Sequence, residues 1–275
     1  MPSRLDVMTY NVRYDNPKDT EYVWRKRRDA VASVIRFHDP EVIGLQEALH
    51  DQVDDLRERL PRYEWLYAGR GGDVESAGEY AAIAYDRERF NLEDEGTFWL
   101  SETPDEPGSV GWDAMLPRLV KWAHLREIDT GIEFTHYNTH FDHAGDEARC
   151  ESAALLRDRI DELSPRDPVI VTGDFNMRES EEPYDRMTTS VGCERTLLDA
   201  HYAANHDHHG PETTVTDFTS LVPEKRIDYV FVTPEVEIHI HGACSDTYGD
   251  GKYPSDHLPV MTTLSLPRRT TDRRG

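Results

Sequence analysis

The sequence predicts an α/β fold built on mixed sheets, and three observations point to it. Short apolar runs rich in β-branched residues recur along the 275 residues. Between several of them lie segments with apolar residues at helical spacing that stop at proline. Elsewhere one strand-like run follows another with no helical pattern between, so the sheets cannot be purely parallel.

Taken in order, LDVMTYN alternates Leu5, Val7 and Thr9 and ends on Asn11, which reads as a strand carrying an amide to a sheet rim. From Trp24 to His38, Val31, Val34 and Ile35 share a helical face, and Asp39-Pro40 stops the helix. EVIGLQE is a second buried strand ending at Glu47, and Leu49, Val53, Leu56 and Leu60 then form an amphipathic stripe closed by Pro61. Strands follow at 80–86, 119–125 and 131–140, the last with Ile132, Phe134, His136 and Asn138 on the face that ends at His140. Asp146 and Glu147 suit a helix N-terminus, and Ala153, Leu156, Ile160 and Leu163 give that helix its apolar side before Pro165.

The stretch DPVIVTGDFNMRES, residues 167–180, is the most informative. Val169, Ile170 and Val171 read as a buried strand, Gly173 as the turn leaving it, and Asp174 and Asn176 as a carboxylate and an amide pointing to one side while Phe175 anchors in the core. RIDYVFV and LPVMTTLSL are two late strands. No repeat or Gly/Ser linker divides the chain, so a single domain over 1–267 is expected, with 268–275 a mobile basic tail.

With 37% hydrophobic residues the chain can bury a core. No run approaches the roughly 18 apolar residues of a membrane span, and no leader pattern opens the sequence, so a cytoplasmic monomer is expected. Cys150, Cys193 and Cys244 form no CxxC pair and read as reduced structural residues. Asp and Glu number 54 against 31 Lys and Arg, for a net charge of −23, and only five of the basic residues are lysine. That balance suits a halophilic acidic surface, and it argues against a nonspecific grip on nucleic acid, which depends on counterion release.

The polar residues at strand ends are Asn11, Glu47, His140, Asp174, Asn176, Asp228, Asp256 and His257. Each alone would read as a cap or a structural hydrogen bond. Together they make an oxygen-rich rim suited to Mg²⁺ or Mn²⁺, with histidines placed to stabilise a charged phosphoryl group. HDHH at 206–209 lies in a polar loop without zinc-ligand spacing and reads as a surface cluster. Trp112 reads as a pin for its own loop, and His143 as a loop residue facing solvent.

TYNVR, GLQE, NTHFDH, GDFN, RIDYVF and SDHLPV occur in an order that resembles the endonuclease/exonuclease/phosphatase superfamily, over about residues 4 to 266. FWLSETPDEPGSVGWDAMLPR further resembles a bacterial and archaeal subgroup with no settled substrate. The resemblance implies a four-layer sandwich, two stacked mixed sheets flanked by helices, with the site at their shared rim. It implies that Glu47 ligates the metal with Asn11 beside it, and that Asp174 orients or deprotonates water, helped by Asn176. His257 would bind the scissile phosphate with Asp256 as its orienting partner, and Asp228 would support the site or ligate. His140 stands where apurinic endonucleases carry tyrosine, as in the deadenylase-like and sphingomyelinase-like branches. Arg118 could hold a second phosphate or pair with a carboxylate. The implied activity is metal-dependent hydrolysis of a phosphate ester, with an RNA or DNA phosphodiester placed first. A small phosphomonoester or phospholipid headgroup is the alternative, and a noncatalytic binding module on the same fold is the reading from another class.

Overall fold

The computed structural model describes residues 3–72, 78–189 and 195–267. Its strands are numbered along the chain. The first sheet runs in the order β11 (Glu237–Ala243), β12 (Val260–Leu266), β1 (Ser3–Asn11), β2 (Val42–Gln46), β4 (Tyr80–Asp86), β3 (Tyr63–Gly69). The second runs β5 (Phe90–Trp99), β6 (Leu119–Glu127), β7 (Glu133–His140), β8 (Val169–Asp174), β10 (Asp228–Val232), β9 (Leu198–Asp199). Both are mixed: β1–β2 and β7–β8 are parallel pairs, and the other pairings are antiparallel.

Strand alternation sorts the apolar side chains into three layers of core. Val7, Val42, Ile83, Phe134, Ile170 and Val230 meet between the sheets. Their neighbours Met8, Ile43 and Ala82 face outward, against α1 (Trp24–His38) and α2 (His50–Arg59). On the far side Tyr137, Val171 and Phe231 face α3 (Asp146–Leu163) and α4 (Glu182–Thr188). A short α5 (Ala200–Ala203) follows β9. The result is the four-layer sandwich expected. Helix α1 stops as the sequence implies, at Asp39, whose left-handed φ of 49° lets its N–H bond Ile35 O at 2.9 Å.

Not all of the sheet interface is apolar. Asn138 of β7 donates from Nδ2 to Leu45 O at 2.8 Å and Ala82 O at 2.9 Å, both in the facing sheet. Its Oδ1 accepts from Gln46 Nε2 at 2.7 Å and Thr172 Oγ1 at 3.0 Å. Every lone pair and proton of this buried amide therefore has a partner, which is what makes it tolerable in the core. Gly44 makes the close approach possible, since a Cβ there would stand 2.1 Å from Thr172 Oγ1 and 2.4 Å from Asn138 Oδ1.

Four strands have no counterpart in the sequence reading: β3, β5, β9 and β11. All four are sheet edges. The polar loop at 206–209 also departs from its reading. His206 and His209 are exposed as expected, but His208 turns inward against His201 and His241. Cys150 and Cys244 are free thiols, while Cys193 and the tail at 268–275 lie outside the described residues. Among the described residues no helix is long and apolar enough to cross a membrane.

The interface gives a direct test. Gly44→Ala should lower stability by about 1–3 kcal/mol, read as a lower urea midpoint, because the added methyl overpacks the sheet contact. An unchanged midpoint would show that Asn138 and Thr172 can give way.

Candidate active site

Strand register assembles the site. His140 lies opposite Asp174 in the parallel β7–β8 pair, and Asp228 lies opposite Asp174 in the antiparallel β10–β8 pair. One row across three strands therefore carries an imidazole and two carboxylates. From the other sheet, Asn11 ends β1 beside Gln46, and Glu47 follows directly. Asn11 Nδ2 donates to Glu47 Oε1 and to Asp174 Oδ2, each at 3.0 Å, so one amide ties the two halves together. Glu47 adopts a left-handed φ of 67° and accepts the Tyr14 N–H at 3.1 Å, which fixes its carboxylate at the rim.

Asp174 and Asn176 do converge, though not by simple strand alternation. The strand ends at Asp174, whose Oδ1 accepts the Asn176 N–H at 3.0 Å, and Asn176 turns into the left-handed region at φ 47°. Its Nδ2 then reaches His140 Nε2 and Phe141 O, both at 3.1 Å. With Nε2 accepting, the His140 proton sits on Nδ1, towards Glu79 Oε2 at 3.9 Å. Burial, followed by the charges of Arg118 and His257, holds His140 well below its ordinary proton affinity, so it is neutral.

The loop before β12 brings in His257 and corrects one expectation. Its Nδ1 bonds Asp228 Oδ2 at 2.8 Å, so Asp228, not Asp256, orients the ring. Asp256 instead faces Arg13, with Nε to Oδ2 at 3.6 Å, because the chain turns between the two residues. The His257 Nε2 lies 3.8 Å from Asp174 Oδ2. Burial opposes a charge on His257, yet Asp228 and Asp174 outweigh it and push its pKa up to about 10, leaving an imidazolium at neutral pH. Asp174 moves up as well, to about 7, through burial and the charge of Asp228, with His257 and Asn11 working against the rise.

Glu47, His140, Asp174, Asn176, Asp256 and His257 line a cavity of about 530 Å³. Its wall includes residues the sequence did not single out: Arg13, Arg70, Glu79 and Lys225. Arg118 pairs with Asp142 at 3.3 Å and donates to His143 Nδ1 at 3.1 Å, and it also lines the cavity. His143 is exposed as expected but lines the cavity. Trp112 lies outside the lining, and its N–H meets the Glu102 carboxylate, as suits a loop pin.

The donor set fits a divalent cation. Glu47, His140 and Asp174 each present one ligand atom within 4.8 Å of the others. Burial and the nearby Glu47 carboxylate also raise the proton affinity of Glu79, and of Asp256 despite His257. Crowded carboxylates of this kind are relieved by a hard cation bound among them.

The sequence model of the Endonuclease/Exonuclease/phosphatase family matches residues 8–257. The crystal structure of an endonuclease/exonuclease/phosphatase from Bacteroides vulgatus is 37% identical, covers 96% of this chain and 100% of that one, and superposes with a TM-score of 0.90. A Bacteroides thetaiotaomicron mannosyl-6-phosphatase is 36% identical over 95% of this chain and 100% of its own, with a TM-score of 0.88. An uncharacterized protein of Acanthamoeba polyphaga mimivirus is 26% identical over 259 residues, 87% of this chain and 91% of that protein.

The His257–Asp228 pair carries a pH signature. The folded protein holds this proton more tightly than the unfolded chain, so the pair stabilises the fold fully below about pH 6.5, and that contribution is lost as pH rises through about 10. Asp228→Asn keeps the shape and removes the charge. In an imidazole NMR titration the His257 proton should then leave at least about one pH unit lower than in the wild type. An unmoved titration would remove Asp228 as the source of the shift.

Proposed function

The chain belongs to the endonuclease/exonuclease/phosphatase family and is a hydrolase of phosphate esters; we propose that it is a divalent-metal-dependent phosphomonoesterase for small hydroxylated substrates of the sugar phosphate kind. The observation that carries this reading is the cavity. At about 530 Å³ it suits a compact ligand. The arginines lining it are each matched to a carboxylate: Arg13 to Asp19 at 3.1 Å, Arg70 to Glu79 at 2.8 Å and Arg118 to Asp142 at 3.3 Å. A polymer would call for a track of cations open to phosphates. The mannosyl-6-phosphatase relative supports the same choice, which ranks the phosphomonoester above the phosphodiester that the sequence favours.

In this reading Glu47, with Asp174 and His140 close by, holds a divalent cation, Mg²⁺ or Mn²⁺, which supplies charge neutralisation for the phosphoryl oxygens when bound. Asp174, held by the Asn11 amide and the Asn176 N–H, accepts the proton of the attacking water. The Asn176 amide and the neutral His140 fix where that water can sit. The His257 imidazolium donates to a phosphoryl oxygen as charge develops there, and Asp228 keeps it protonated and aimed. Arg118, Arg70 and Glu79 face the part of the ester that distinguishes one substrate from another.

Chelation should abolish hydrolysis and Mg²⁺ or Mn²⁺ should restore it, with Glu47→Gln lowering turnover at least about a hundredfold at saturating metal. In a panel of mannose 6-phosphate, a chromogenic phosphodiester and single-stranded RNA, the sugar phosphate should be preferred. A preference for RNA that falls steeply with salt would overturn the small-substrate reading. The acidic composition adds an independent expectation. Molar KCl shortens the screening length to about 3 Å, so the thermal midpoint should rise from low to molar salt, and a flat midpoint would remove the halophilic reading.

A further inference from the structure

Away from the cavity, three histidines distant in sequence meet at one edge of the sandwich. His201 belongs to α5, beside the second sheet's edge strand β9, and His241 belongs to β11, an edge of the first sheet. His208 comes from the loop between them. One ring nitrogen of each lies within 4.8 Å of one ring nitrogen of each of the others. We propose that His201, His208 and His241 bind a late first-row divalent cation, zinc foremost, as a structural clip between the edges of the two sheets.

The hydrogen bonds orient the rings for this. His208 Nε2 is 3.0 Å from Pro211 O and must donate to it, which leaves the lone pair on Nδ1. That Nδ1 lies 2.9 Å from Nδ1 of His241. His201 Nε2 faces the Glu212 carboxylate at 3.7 Å, while its Nδ1 is buried without a hydrogen-bond partner among the described residues. His241 is 2% exposed and its Nε2 is likewise buried and unpartnered. Metal-bound imidazoles characteristically pair one nitrogen with a carbonyl or carboxylate and give the other to the ion, the pattern His208 and His201 display. Burial, with the neighbouring histidines and Arg226, holds His201 and His241 below their ordinary proton affinity, so both rings are neutral; His241 Nδ1 donates to His208 Nδ1, and a cation bound there would displace that proton. Arg226 does not bar a cation, because Asp199 and Glu179 each pair with it at 2.7 Å.

Zinc–nitrogen bonds of about 2.0–2.1 Å place tetrahedral ligand nitrogens about 3.4 Å apart, a spacing between the 2.9 Å of the His208–His241 pair and the 4.8 Å within which all three nitrogens lie. All-nitrogen imidazole donors favour zinc over magnesium, which separates this site from the oxygen-rich rim.

The test uses full-length protein without a histidine tag, loaded with Zn²⁺ and dialysed against buffer containing Mg²⁺. Elemental analysis should find one zinc per chain in the wild type and in Glu47→Gln, and none in His208→Asn or His201→Asn. Zn²⁺ at roughly a hundredfold excess over its dissociation constant should raise Tm by about 5 °C in the first two proteins only. Circular dichroism confirms that each variant is folded, and the two histidine variants back each other if one is not. Should both fail to fold, competition of Zn²⁺ with a chromophoric chelator in Glu47→Gln decides. Zinc absent from the wild type, retained by a folded histidine variant, or lost with Glu47→Gln would overturn the proposal.

Discussion

The carboxamide of Asn138 is the constraint on which the site rests. It lies between two sheets, bonded to backbone carbonyls of one and to side chains of both, in a layer whose buried polar groups Thr9, Gln46, His136 and Thr172 are hydrogen-bonded to it or to its partners. A half-satisfied amide there would cost the full desolvation of a polar group, so the sheets are held to one distance and one registration. Gly44 is the corresponding concession on the facing strand. At the rim the residues of the candidate site are drawn from both sheets, and their separation is inherited from that contact. Parallel pairing of β1 with β2 and of β7 with β8 then delivers the ends of all four strands to the same rim.

The rim is electrostatically tense by construction. Asp174 and Asp228 are buried side by side, an arrangement that would favour neutralising one of them. His257 supplies the balancing charge and Asn11 and Asn176 supply hydrogen bonds. The outcome is a division of labour between two carboxylates of the same kind: the one bonded to an imidazole holds a cation in place, and the other keeps an affinity for protons near neutrality. Environment alone distinguishes them.

What the sequence reveals follows from where each element lies. Interior strands such as VIGLQ and VIVTGD are buried on both faces and open as apolar runs. The edge strands do not, because one side meets water: β5 carries Glu93, Asp94 and Glu95 within ten residues, and β11 is broken by a bulge between Ile238 and Ile240. The residues at strand ends were legible for the same reason, each being a polar residue at the end of an apolar run. Arg13 and Glu79 were not, since each meets a site residue far away in the chain, Glu47 and His140, and Arg70 enters the site through Glu79. The exchange of Asp228 for Asp256 as the partner of His257 has a like cause: adjacency in sequence suggested one aspartate, and strand pairing selects the other. His208 shows the limit of spacing arguments, because its partner in β11 is 33 residues away.

The acidic edge at β5 has a further meaning. A sheet margin offers unpaired backbone donors and acceptors to any strand that drifts past, and two molecules can join through such margins into growing ribbons. On β5 the register break between Leu92 and Asp94 sets a twist where a foreign strand would have to lie flat, and the charged residues beside it, Glu93 paired with Arg126 and Glu95 with Lys121, would have to be desolvated there. At the opposite margin of the same sheet, β9 is two residues long, too short to template anything. The features that hid these strands from a reading of apolar pattern are thus ones that oppose edge-to-edge joining of sheets.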